Sequence, residues 1–266
     1  MSGNIRKNIS KLKKKSIWKF KYINLLNPFL KYPETKFAVY TRGRTGSTLL
    51  SDLMNCHKDI YSDVEIFNFL YSGNRVLFPM AYIESCSKRA SALNKSVYGF
   101  KVKIAQLKNE HKYKNYEKIL SGLHNKGWKF IYLKRENYLR HKLSNLLITE
   151  TNVYHLTGND QPYRKKINVD CQLLLDSIKF GEETELLEKQ NLKNIPYLEI
   201  IYERDLLDNS RHQETADRIF GFLGVDSHKV KTAYRKVTPD DLRDSIENYD
   251  EVLNFFKNTK YFDLLK

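Results

Sequence analysis

The sequence predicts an α/β fold of three layers, α/β/α, around a central, mostly parallel sheet. Short apolar, β-prone runs recur along the chain, and segments with helical spacing alternate with them. The first such run ends in a polar, glycine-containing turn that opens a helix. Alternation of this kind favours parallel pairing with both sheet faces covered, and places ligands at the strand carboxyl ends.

The elements follow in order. Phe37, Ala38, Val39 and Tyr40 form the first strand. Residues 47–55 read as a helix, because Leu49, Leu50, Leu53 and Met54 recur at helical spacing. Residues 97–102 are a second strand, and 127–133 a third whose dense apolar content suits burial on both faces. A helix over 137–149 comes next. A longer one over 170–190 is expected to turn Leu173, Leu174, Ile178, Leu186 and Leu187 inward. Residues 197–202 are a fourth strand, and 214–223 a helix that stops at Gly224.

The chain of 266 residues has 41% hydrophobic and 29% charged residues, which describes a globular domain and not a disordered one. No run approaches the roughly eighteen apolar residues of a spanning helix, and no secretory leader pattern is present. Cys56, Cys86 and Cys171 have neither metal-like nor disulfide-framework spacing, so a reducing, cytoplasmic compartment is expected. The net charge of +15 is uneven: residues 1–36 hold ten Lys or Arg and one acid, Glu34. The organisation expected is therefore a basic N-terminal extension over 1–35 and a single domain over 36–266. Within the extension, basic residues are interleaved with Ile17, Trp18, Phe20, Tyr22 and Ile23. Such an arm suits contact with an anionic membrane, an acidic partner or nucleic acid, or packing of its aromatic stripe on the domain.

The chemistry concentrates in Thr41-Arg42-Gly43-Arg44-Thr45-Gly46-Ser47-Thr48. Its glycines permit a tight turn, and the following helix presents free N–H groups and a positive dipole end to an anion. Ser47 and Thr48 can cap the helix or donate hydroxyls, while Arg44 adds charge and planar donors. No Lys precedes the hydroxyl residues, so this is not a Walker loop. A second basic cluster, Lys134-Arg135 with Ser144 nine residues beyond Arg135, follows the third strand.

These segments resemble those of the sulfotransferases that use 3′-phosphoadenosine 5′-phosphosulfate (PAPS), in particular bacterial and cyanobacterial-type carbohydrate sulfotransferases. Arg44-Thr45-Gly46-Ser47-Thr48-Leu49 resembles the family's 5′-phosphosulfate loop, and Arg135 and Ser144 its 3′-phosphate grip. Smaller likenesses lie at His57-Lys58-Asp59-Ile60, Tyr98-Gly99-Phe100-Lys101, residues 201–206 and residues 246–251. The resemblance spans about residues 36 to 255 and implies a P-loop-like variant of the α/β/α fold. It also implies PAPS as sulfuryl donor, with Arg44, Thr45, Gly46, Ser47, Thr48, Arg135 and Ser144 as its binding residues. Arg235 and Lys236 stand where the family closes a basic loop over the 3′-phosphate.

Sulfuryl transfer is an in-line displacement at sulfur, which needs a positioned acceptor, a base, and cations around the leaving phosphate. It requires no metal, and no ligand cluster stands out. The resemblance makes Glu65 the general base and Arg44 a catalytic cation. Asp63, two residues away and on the same face if the segment is extended, is the understudy. Lys101, at the end of the second strand, is either a catalytic cation near the transferring group or acceptor, or a solvated strand-end charge. His111, His124 and His141, read as lying on helix surfaces or loops, are the competing bases. The stretches 68–96 and 154–167 would shape the acceptor, and the Glu65 context points to a saccharide or glycolipid hydroxyl. The rivals are a kinase with an atypical phosphate loop and a basic nucleic-acid-binding module. No magnesium carboxylates favour the first, and the charge excess sits in one arm against the second, so no nucleic-acid partner is expected.

Overall fold

The structure, a computed structural model, describes residues 21–151, 156–157, 166–236 and 238–265. Five parallel strands form the central sheet: β1 (Thr35–Thr41), β2 (Ile60–Ser62), β3 (Val97–Val102), β4 (Lys129–Lys134) and β6 (Tyr197–Ile201). Their spatial order is β2-β3-β1-β4-β6, and every neighbouring pair is parallel. β5 (Leu156–Thr157) and β7 (Tyr234–Arg235) make a separate antiparallel pair. Among the described residues, helices of eight residues or more are α1 (Ser47–Asn55), α2 (Pro79–Ser87), α3 (Glu117–Asn125), α4 (Tyr138–Thr151), α5 (Cys171–Asn191), α6 (His212–Leu223) and α7 (Tyr249–Phe256).

The period-2 alternation of β1 sorts its side chains between two cores. Ala38 and Tyr40 join Phe100, Trp128 and Leu120 on the face covered by α2 and α3. Phe37 and Val39 join Leu50, Leu53, Phe220 and Leu223 on the face covered by α1 and α6. A third cluster, with Leu139, Leu143, Leu174, Ile178 and Phe256, joins α4, α5 and α7. Gly99 faces Phe37, where any added Cβ would lie within 2.1 Å of the ring. No helix among the described residues is long and apolar enough to cross a membrane.

The expected elements form, with two differences of substance. β2 has three residues, too few for a periodic signal, and it adds an edge beside β3. In α5 the buried stripe is Cys171, Leu174, Ile178, Gly181, Glu185 and Glu188, whereas Leu173 and Leu186 are exposed. The C-terminal half of this helix meets polar partners, not an apolar core. Tyr132 donates to Glu188 (2.9 Å), Tyr138 donates to Glu185, and Lys134 lies 3.4 Å from Glu185. Gly181 permits the close approach of α5 to the Tyr138 ring, 2.8 Å from where a Cβ would stand.

Residues 21–34 run along α2. Lys21 donates to both oxygens of Asn74, Asn24 to the Ser85 carbonyl, and the Glu34 amide to the Ser96 carbonyl. Tyr22 wedges edge-on between the rings of Phe78 and Tyr82. The arm residues 1–20, with Ile17, Trp18 and Phe20, lie outside the described residues, as do 152–155, 158–165 and Val237.

Candidate active site

The turn after β1 is shaped by its own side chains. Thr41 donates to the Leu133 carbonyl (2.9 Å), and its hydroxyl lies 2.6 Å from that of Thr45. The Thr45 hydroxyl also reaches the Arg42 carbonyl at 3.0 Å. Arg44 and Gly46 both take left-handed backbone angles, φ 63° and 83°. For Gly46 this conformation is unstrained, and the Tyr202 ring would stand 2.7 Å from any Cβ there. The turn thus delivers the N-terminus of α1, capped by no side chain, to the carboxyl edge of the sheet.

Three further contacts clamp the turn from α4 and α5. His141 Nε2 lies 2.5 Å from the Gly43 carbonyl, so that nitrogen carries the hydrogen. Burial, reinforced by Arg135, Arg42 and Arg44, pushes the His141 pKa down to about 3, so the imidazole is neutral. Arg42 pairs with Glu188 (3.2 Å) and donates to the Gly181 carbonyl (3.1 Å).

Arg135 follows β4 directly and is buried, 4% exposed, with its guanidinium over the Tyr202 ring at 4.7 Å. It donates to Glu203 (3.2 Å) and to the Arg44 carbonyl (3.4 Å). Burial lowers the Arg135 pKa while Tyr202 and Glu203 oppose the shift. Glu203 also accepts from the amides of Glu136 and Asn137, which ties the entry of α4 to the end of β6. Ser144, in the second turn of α4, accepts from Arg44 Nε at 3.3 Å.

One cavity collects these groups. Arg44, Gly46, Ser47, Thr48, Arg135 and Ser144 line it, with Tyr202, Leu206, Leu207, Asn209 and Tyr234, and with Arg235, Lys236 and Thr238. Arg235 and Lys236 arrive there because β7 pairs with β5, Leu156 opposite Arg235 and Thr157 opposite Tyr234. Lys236 is braced by Asp240, four residues on. Thr45 departs from expectation: it is fully buried and its hydroxyl is spent on the turn, so its side chain shapes the loop without lining the cavity.

Glu65 and Lys101 form a second group beside the first. Glu65 pairs with Lys103 (2.6 Å) and accepts from Gln106 (2.7 Å), so each carboxylate oxygen has a partner. Lys103 Nζ lies 3.8 Å from where a Gly43 Cβ would stand, which sets the pair against the turn. Gln106 Oε1 is buried without a hydrogen-bond partner among the described residues. Lys101 is 6% exposed, and burial lowers its pKa against the opposing pull of Glu65. It is therefore no solvated strand-end charge.

Asp63 and two of the three histidines have partners elsewhere. Asp63 is buried and accepts from Arg89 (2.8 Å), Tyr98 (3.0 Å), Tyr61 (3.2 Å) and its neighbour's amide (2.8 Å), which makes it an anchor of the β2 edge. His111 and His141 are buried, not on surfaces. His111 accepts from the Val76 amide (3.1 Å) and faces the Phe67 carbonyl (2.6 Å).

Sequence reasoning missed Tyr202, Glu203, Lys103, Gln106 and the Arg42–Glu188 clamp. Tyr202 and Glu203 sit at a strand carboxyl end, where ligand sites are expected, and that position was the available signal. Lys103 and Gln106 follow β3 in the same way. Nothing local marks Glu188, whose role depends on the approach of α5.

The chain is similar in structure to mouse sulfotransferase SULT7A1 complexed with PAP, with a TM-score of 0.43, 14% identity, and 93% of this chain and 94% of that chain covered. It is also similar to the sulfotransferase domain from the Synechococcus PCC 7002 olefin synthase, at 0.39 and 16%, over 88% and 87%. No protein-family model and no curated protein matches it.

Proposed function

We propose that this protein transfers a sulfuryl group from PAPS to an acceptor hydroxyl, borne by a saccharide or glycolipid. One observation carries the reading: a single cavity holds two anion grips of different construction. The first is the N-terminus of α1 with the hydroxyls of Ser47 and Thr48, suited to a phosphate approached through backbone amides. The second is Arg135 with Ser144, joined in the same lining by Arg235 and Lys236, suited to a phosphate gripped by charged side chains. A nucleotide phosphorylated at both 3′ and 5′ positions satisfies both. Tyr202, Tyr234, Leu206 and Leu207 give the base a partly apolar wall.

Arg44 bridges the grips through Ser144 and the Arg135 contact at its carbonyl, so it can follow negative charge as it grows on the leaving phosphate. Glu65 serves as general base. To do so its carboxylate exchanges Lys103 or Gln106 for the acceptor hydroxyl, and the released ammonium of Lys103, with Lys101, balances the charge near the turn.

Thermal melting in adenosine 3′,5′-bisphosphate, against adenosine 5′-monophosphate, tests the donor pocket. At a hundredfold excess over Kd a true ligand adds about 2.7 kcal/mol. That is several degrees for a chain of this size, at roughly 2 to 4 °C per kcal/mol. Equal shifts for the two nucleotides, or none for either in folded protein, would remove the reading. A shift with MgATP alone would instead favour a kinase.

A further inference from the structure

We infer that residues 21–32 and the turn around 70–78 form a docking face for an anionic lipid surface. At the junction of these segments Lys21 is fixed to Asn74, and Tyr22 is locked between Phe78 and Tyr82. The surrounding apolar side chains point outward: Leu26 is 84% exposed, Phe29 88% and Leu70 87%, with Tyr71, Leu77 and Phe78 more than half exposed. They are not loose. Asn24 is bonded to the Ser85 carbonyl, Lys88 donates to the Asn27 carbonyl (3.4 Å), and the Lys31 amide donates to Ser91 (3.1 Å). A backbone pinned along α2 therefore holds large apolar groups in water, an arrangement that calls for a partner surface.

Charge identifies the partner. Residues 1–21 carry eight Lys or Arg and no Asp or Glu, and that run joins the fold at Lys21, beside the apolar groups. Apolar side chains next to concentrated positive charge match a bilayer of anionic headgroups, where each basic residue near the surface adds to binding. The face also adjoins the Glu65 segment, since Tyr82 donates to the Ile66 carbonyl and the Asn68 amide to that of Glu65. Under the proposed function, docking would bring a membrane-borne acceptor to that rim, but lipid binding is independent of transfer.

The test is cosedimentation of the full-length protein with vesicles of phosphatidylcholine alone and with phosphatidylserine added. Binding is expected only with phosphatidylserine, and it should fall about tenfold or more in the double variant Leu26→Ser, Phe29→Ser and in Lys13→Gln, Lys14→Gln, Lys15→Gln. Phe180→Ser, an exposed apolar change on α5, should bind as the parent does. Absence of binding to the anionic vesicles overturns the inference. So does binding that the Leu26, Phe29 variant retains in full, since the arm alone would then account for it. Equal binding to neutral vesicles overturns it as well. The bisphosphate melting shift, measured on each variant, shows that the fold and donor pocket are intact.

Discussion

Arg135 is the side chain on which donor recognition turns. It lies under Tyr202, paired with Glu203, and keeps a face toward the cavity. A hydrogen bond to a charged group contributes about 1.5–3 kcal/mol. Arg135→Ala is accordingly expected to weaken adenosine 3′,5′-bisphosphate binding by roughly ten- to a hundredfold. Arg135→Lys should recover only part, because an ammonium lacks the planar fork. Titration calorimetry reads both, and unchanged affinity in Arg135→Ala would place the 3′-phosphate elsewhere. Glu65→Gln makes a separable prediction. It should leave bisphosphate affinity within about twofold and reduce turnover by roughly a hundredfold or more, in the range of general-base catalysis. Near-normal turnover would dismiss Glu65 as base.

At the scale of elements, α4 and α5 hold the phosphate turn from outside. His141 on α4 does so through the Gly43 carbonyl, as an imidazole that burial keeps neutral. Its pKa is depressed in the folded protein, to about 3, and an unfolded histidine titrates near roughly 6.5. The unfolded state thus binds the proton first as pH drops. Stability from this group is fully present above about pH 6.5 and is lost as pH falls toward the folded value. Melting temperature should decline through that window, and His141→Gln should flatten the decline because the amide cannot titrate. An identical acid limb in the variant would show that other groups govern it. The Arg42–Glu188 contact is the matching clamp from α5, with Glu188 buried and its carboxyl raised by burial against Arg42 and Tyr132.

Across the whole molecule positive charge is in excess, most of it in the N-terminal arm. The net charge of +15 acts together with a cavity that gathers Arg44, Arg135, Arg235 and Lys236. Bisphosphate affinity should therefore fall with ionic strength, as the Debye length shrinks from about 10 Å at 0.1 M to about 3 Å at 1 M. The more exposed partners should feel salt most. Arg235→Ala, Lys236→Ala should flatten the salt dependence more than Arg135→Ala, whose guanidinium is buried. A salt dependence unaltered in the double variant would mean that the β7 segment does not cover the bound nucleotide.

The sequence by itself determined the strand–turn–helix at residues 35–55, the strand before Arg135 and the alternation that makes the sheet parallel. These are local matters: apolar period, glycine conformation and helix termini are written within a few residues of one another. It also named Arg44, Ser47, Thr48, Arg135 and Ser144, which converge on one cavity. Tertiary structure decided the rest. Only packing shows that the Thr45 hydroxyl is consumed by the turn, and that both oxygens of Glu65 are engaged by Lys103 and Gln106. Only the approach of α5 to Tyr132 and Arg42 turns Glu185 and Glu188 inward while Leu173 and Leu186 face out. Hydropathy marks which residues prefer burial. The partners that let a carboxylate be buried in their place come from distant parts of the chain, brought together by the fold.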